Sequence, residues 1–169
     1  FMMLLVAKRI FKLSCMLETN KIYQGDVVEV LRTFPNECID CIITSPPYYG
    51  LRDYGVAGQI GLEPTLQEYL NKILAVTAEL KRVLKPTGTL WWDHGDSYGA
   101  SNGKGSNQSN PGKQTSETPG IGKVGTEKCL SMQAHRLVIR VIDEQGWILR
   151  NTIIWHKPNC MPSSVRDRF

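Results

Sequence analysis

No stretch of this sequence is apolar for long enough to cross a bilayer. The opening FMMLLVA is soon interrupted by Lys8, Arg9 and Lys12, well short of the roughly 18 residues a span needs. Nor does it read as a secretory signal, because its positive charges follow the apolar run instead of preceding it. Histidine is scarce, and His94, His135 and His156 fall in different expected elements. The cysteines number five, an odd and scattered set that excludes a paired disulfide framework. Cys38 and Cys41 have CxxC spacing, but no second such pair follows. Buried structural thiols in a reducing cytoplasm are therefore expected rather than zinc. Charge is close to balanced, with a net of +4, which permits a polyanionic partner without requiring one. No internal repeat is visible, and 169 residues suffice for one domain with a core but not for two.

What is present has the grammar of an α/β sheet with crossover connections. Residues 1–17 stand apart as non-native or disordered sequence, since patterning begins only after Met16. Lys21–Gln24 reads as a short strand. Asp26 with Glu29 is a helix start, and Val27, Val30, Leu31 and Phe34 recur at helical spacing until Pro35-Asn36. Ile39–Ile43, apolar and β-branched, reads as a strand buried on both faces. Thr65-Leu66-Gln67-Glu68 is a capping box that opens a helix carrying one apolar stripe, from Leu66 to Leu84. Pro86-Thr87-Gly88 ends it, and Thr89–Asp93 is the next strand. Between about 99 and 128 the composition collapses into Gly, Ser, Asn, Lys and Thr, a flexible polar insertion with too little apolar area to order itself. A further helix carries Ala134, Leu137, Val138, Val141 and Ile142 up to Gly146, and Trp147–Trp155 is a final strand.

The chemistry is concentrated in Thr44-Ser45-Pro46-Pro47-Tyr48. Two prolines cannot continue a sheet, so the chain leaves the Ile39 strand as a stiff loop. Ligands of open α/β sheets bind at such carboxyl ends. An exocyclic base amine is a poor nucleophile because its lone pair is delocalised into the ring. A hydroxyl and a carbonyl that accept its two N–H bonds pull the nitrogen toward tetrahedral geometry. Ser45 and the carbonyl of Pro46 could be those acceptors, and Tyr48 offers a face for an unstacked base. The plain alternative is a turn with an aromatic plug.

These residues resemble the catalytic signature of the cytosine-N4 and adenine-N6 DNA methyltransferases. The likeness extends to Tyr23-Gln24-Gly25-Asp26, to Tyr49–Gly55, to Leu84–Trp91 with Gly95–Tyr98, and to Gly146–Asn151, Ile154–Asn159 and Pro162–Arg168. It implies a partial Rossmann-like sheet with flanking helices, S-adenosylmethionine as cofactor, and double-stranded DNA with one base flipped out. A cytoplasmic prokaryotic or phage-encoded setting and a cognate restriction enzyme come with it. By the resemblance Ser45, Pro46, Pro47 and Tyr48 form the amino-group pocket, and Asp26 and Thr44 touch the cofactor. Asp26 reads equally well as a plain N-cap. Arg52, Lys157, Arg166 and Arg168 are candidate phosphate contacts, although any surface cation looks the same in sequence.

The sequence departs from the family's pattern at one point. The aromatic-led glycine loop that receives the methionine part of the cofactor is missing. In the subgroup whose catalytic signature comes first, that loop follows the target-recognition region. Residues 18–169 are therefore expected to be the amino-terminal catalytic part of a longer enzyme, with little activity alone. A carbon-5 cytosine enzyme would need a cysteine after proline, and none of the five follows one. Thr-Ser-Pro-Pro-Tyr favours cytosine-N4 over adenine-N6. A reading of another class, an inactive remnant that binds DNA or a partner, stays open.

Overall fold

A computed structural model describes residues 17–99, 126 and 128–159 of the chain, together with the backbone of 5–7. The elements in order are β1 (Leu5–Ala7), α1 (Val27–Arg32), β2 (Ile39–Thr44), α2 (Leu66–Val83), β3 (Leu84–Trp92) and α3 (Gln133–Gln145). They form an α/β unit around one three-stranded sheet of order β1-β2-β3. β2 and β3 are parallel and joined through α2, the crossover expected of such a pair. β1 pairs antiparallel with β2, with Val6 opposite Ile42, so three residues of the segment expected to be non-native or disordered carry a strand. An open strand edge is a template for any short apolar run that reaches it.

Both early helices start as their sequences dictate. Asp26 Oδ1 accepts from the amides of Val28 and Glu29, while Glu29 turns to Arg32 instead of completing a box. Thr65 and Glu68 do form the reciprocal box that begins α2. The Arg82 guanidinium donates to Leu31 O in the last turn of α1 and to Phe34 O just beyond it. That places the end of α2 against the end of α1. Leu31, Phe34, Ile39, Ile42, Val76, Leu80 and Val83 are buried together between these helices and one face of the sheet.

Four further expectations need correction. Lys21–Gln24 is not a strand, because it has no neighbour to pair with among the described residues. β2 is buried on one face only: Ile43 and its β3 partner Trp91 are 49% and 54% exposed, since the helices pack on the opposite face. Trp147–Trp155 forms no strand either. Ile154 and Trp155 are 81% and 82% exposed, with no pairing partner among the described residues. Helix α2 also gives way to strand earlier than expected, at Leu84. Leu84 pairs with Ile39, and the next paired residue is Thr89, opposite Cys41. The register shifts across Lys85–Gly88, so the Pro-Thr-Gly stretch interrupts the ladder after the strand has begun.

Most of the polar insertion lies outside the described residues, but its two ends meet. Tyr98 bridges Leu130, and Gly99 exchanges backbone hydrogen bonds with Cys129 and Lys128. α3 follows and ends on Gly146 as expected. It packs on α2 through Leu137, in a second buried cluster with Tyr49, Tyr69, Leu70, Ile73 and Leu74. Among the described residues no helix is long and apolar enough to cross a membrane.

Candidate active site

β2 and β3 end at the same edge of the sheet, where Asp93 N donates to Thr44 O at 2.9 Å. Two connections therefore leave side by side: Ser45-Pro46-Pro47-Tyr48 from β2 and Asp93-His94-Gly95 from β3. Tyr48 folds back between them. Its hydroxyl lies 3.0 Å from Ser45 Oγ and donates to Asp93 Oδ2 at 3.1 Å. A phenol has one proton, and here it is shared in the hydrogen bond donated to the carboxylate. Ser45 must then donate to Tyr48 Oη, which leaves its own lone pairs free to accept from a ligand. Ser45 is exposed, so such a ligand can reach it.

Two glycines allow the Tyr48 fold. A Cβ on Gly95 would stand 2.7 Å from Tyr48 Cε2, and one on Gly61 would stand 2.8 Å from the Tyr48 carbonyl oxygen. Gly61 also has a φ of +107°, a conformation other residues rarely adopt. Its loop is held by Glu63, whose buried carboxylate accepts from Gly61 N at 2.9 Å and pairs with Lys72 at 3.0 Å.

Behind the loop the contacts are denser. Tyr69, fully buried on α2, donates to Pro47 O at 3.0 Å. Tyr49 stacks on Tyr69 at 5.4 Å, and its amide donates to Gln133 Oε1 at 3.2 Å. Gln133 opens α3 and is itself buried, with its Nε2 on Ser97 Oγ at 2.8 Å. Two elements, α2 and α3, thus converge on the backbone of Pro47–Tyr49. Burial pushes the Tyr69 hydroxyl well above the usual phenol range, with the Glu63 carboxylate adding to it. Burial likewise lowers the pKa of His94 below its ordinary value, although Asp96, Gln133 and Asp93 act the other way.

The residues singled out from sequence fall into separate groups. Ser45 and Tyr48 come together, with Pro46 buried and Pro47 half-buried beside them. Thr44 is buried, and its hydroxyl has no hydrogen-bond partner among the described residues. Asp26 caps α1. Arg52 is exposed with its guanidinium 5.9 Å from the Tyr54 ring, and Lys157 is exposed. Arg166 and Arg168 lie outside the described residues. Asp93, His94, Tyr69 and Gln133 were given no role from sequence. Asp93 had a usable signal, because it ends the strand expected to lie next to β2.

A family model described as DNA methylase, covering N6 and N4 methyltransferases, matches residues 39–169. This chain belongs to that DNA methylase family. Among curated relatives, Type II methyltransferase M.XycI of Xanthomonas campestris pv. cyanopsidis is 42% identical over 154 residues, which is 90% of this chain and 51% of the relative. Type II methyltransferase M.Cfr9I of Citrobacter freundii is 42% identical over 87% of this chain and 49% of its own length. M.SmaI of Serratia marcescens is 41% identical over 90% and 52%. This DNA methylase chain thus spans about half the length of these curated relatives. A solved structure titled PvuII DNA methyltransferase (cytosine-N4-specific) covers 73% of this chain at 25% identity, with 33% of its own length matched and a TM-score of 0.45.

Proposed function

We propose that residues 18–169 form the base-receiving part of a DNA methyltransferase that methylates an exocyclic amino nitrogen, with cytosine N4 preferred and adenine N6 the alternative. The observation that carries this reading is the Ser45–Tyr48–Asp93 cluster at the adjoining carboxyl ends of two parallel strands. Ser45 Oγ accepts one N–H of the base amine and the Pro46 carbonyl accepts the other, with the Tyr48 ring as the platform for a flipped base. Both acceptors favour the pyramidal nitrogen that attacks, and this selective interaction with the developing geometry lowers the barrier. Once methylated, the nitrogen carries one proton too many. That proton passes to Ser45 Oγ, the Ser45 proton passes to Tyr48 Oη, and the Tyr48 proton passes to Asp93 Oδ2. One N–H bond is lost, and Asp93 ends protonated.

S-adenosylmethionine, when bound, supplies a methyl group already activated on sulfur. The residues present fit its adenosyl end. Asp26 uses Oδ1 as a helix cap, which leaves Oδ2 for another donor, and Thr44 has a hydroxyl in search of a partner. No glycine-rich loop for the methionine end occurs in these 169 residues, so the chain alone is expected to transfer little. Arg52, Lys157, Arg166 and Arg168 supply phosphate contacts to double-stranded DNA, and a cognate restriction enzyme is the matching biological partner.

The test joins this chain to the half of the Xanthomonas relative that it does not match, incubates the fusion with DNA and S-adenosylmethionine, and identifies the methylated nucleoside. N4-methylcytosine is the expected product. N6-methyladenine alone would overturn the base preference, and methylation at carbon 5 would overturn the mechanism.

A further inference from the structure

We infer that Tyr69 and His94 are positioning residues for the diproline loop, and that they work through one directed chain of hydrogen bonds starting at Trp92. The inference rests on the reading of that loop as the base-receiving element. It adds residues that neither touch a base nor belong to the Ser-Pro-Pro-Tyr signature.

The direction of each link follows from what its atoms can do. Trp92 Nε1 lies 3.1 Å from His94 Nδ1. An indole N–H only donates, so Nδ1 must accept, and the proton of the neutral imidazole sits on Nε2. Nε2 is 3.4 Å from Tyr69 Oη and donates to it. Tyr69 then spends its single proton on Pro47 O, at 3.0 Å. No link can be reversed without placing two donors face to face.

The carbonyl at the end of this chain is the one that matters for aiming Tyr48. A proline ring fixes φ but leaves ψ free. In the pair Pro46-Pro47, ψ of the second proline sets the plane of the peptide that leads into Tyr48. Tyr69 holds that plane by its carbonyl oxygen. The same imidazole that orders Tyr69 lies against the Tyr48 ring, with centroids 5.1 Å apart. One histidine therefore supports the base platform from two sides: through Tyr69 to the backbone, and directly at the ring.

The chain has a protonation requirement. An imidazolium would carry a proton on Nδ1 and meet the Trp92 N–H donor against donor. The groups facing His94 are Asp93 and Asp96 from its own segment, Tyr48 from the loop after β2, Tyr69 from α2 and Gln133 from α3. The two carboxylates and Gln133 favour a proton on the ring, and burial opposes it more strongly.

Long-range proton–nitrogen NMR on the histidine rings of the 169-residue chain tests this, with His94→Gln identifying the His94 signals. The expected result is a neutral Nε2–H tautomer for His94 that persists below the ordinary imidazole value of about 6.5. Trp92→Phe keeps the bulk and removes the donor. It should let the Nδ1–H tautomer appear and bring the His94 titration up toward the ordinary imidazole value. Tyr69→Phe should leave the fold intact and speed hydrogen exchange of the Tyr49 amide, which donates to Gln133 Oε1, by about tenfold, as a local opening no longer has to break the Pro47 bond. An Nδ1–H tautomer in the parent, a His94 titration at the ordinary imidazole value, or unchanged exchange in Tyr69→Phe would each overturn the inference. None of these measurements uses DNA or cofactor, so their failure is separable from failure of the methyl-transfer reading.

Discussion

Ile39, Ile42 and Leu84 on β2 and β3 are almost wholly buried, whereas Ile148, Ile153, Ile154 and Trp155 stand mostly in solvent. The two regions have much the same composition. They differ in what their backbones meet. β2 has a strand on each side, and α2 lies across its face. The 148–155 segment has no ladder partner among the described residues, so its apolar side chains have nothing to close over. An apolar run marks where a strand can form, and a neighbouring strand decides whether it does.

The contrast is easiest to break at its strongest point. Leu80→Ala, in the cluster between α2 and the sheet, should cost about 2–5 kcal/mol by chemical denaturation, while Ile154→Ala should change stability by less than about 0.5 kcal/mol. Equal costs would show that the exposed segment is packed after all. Gly95→Ala comes next, because its methyl would intrude on the Tyr48 ring. Overpacking of that kind costs about 1–3 kcal/mol, and tyrosine fluorescence should report a displaced ring. Thr65→Ala removes one arm of the α2 capping box and should cost about 1 kcal/mol, with no effect on the 148–155 segment. Ile148→Lys with Ile154→Lys should leave the denaturation midpoint nearly unmoved and reduce self-association in light scattering, since exposed apolar edges drive chains together. Acid sharpens the comparison further. The folded pKa of His94 is depressed, so below the unfolded value near 6.5 the unfolded chain binds a proton that the folded chain resists. Stability should fall as pH drops below that point, and His94→Gln should flatten that part of the profile.

Much of the fold could be read from local chemistry. Asp26 and the Thr65–Glu68 box mark helix starts because capping is a contact between near neighbours, and Gly146 marks a helix end for the same reason. The prolines of 46 and 47 force the chain out of the sheet at the point where the structure shows it leaving. What could not be read depends on partners distant in sequence. The register shift across Lys85–Gly88 is set by pairing with β2, and the exposure of Ile43 follows from which face the helices cover. The site divides the same way. Ser45 and Tyr48 are three residues apart and were legible together. Asp93, His94 and Tyr69 reach the loop from 45, 46 and 22 residues away, through the parallel pairing of β3 and the facing of α2. Asp93 alone had a signal, its place at the end of the adjacent strand.

In the proposed mechanism the Ser45 hydroxyl, held by Tyr48 and Asp93, accepts a proton of the reacting amine. Single-turnover methyl transfer by the fusion with the Xanthomonas half, measured beside its DNA affinity, tests it most directly. Ser45→Ala should reduce the transfer rate by at least about a hundredfold and leave DNA binding within about twofold. Transfer by Ser45→Ala at the parental rate would contradict the account.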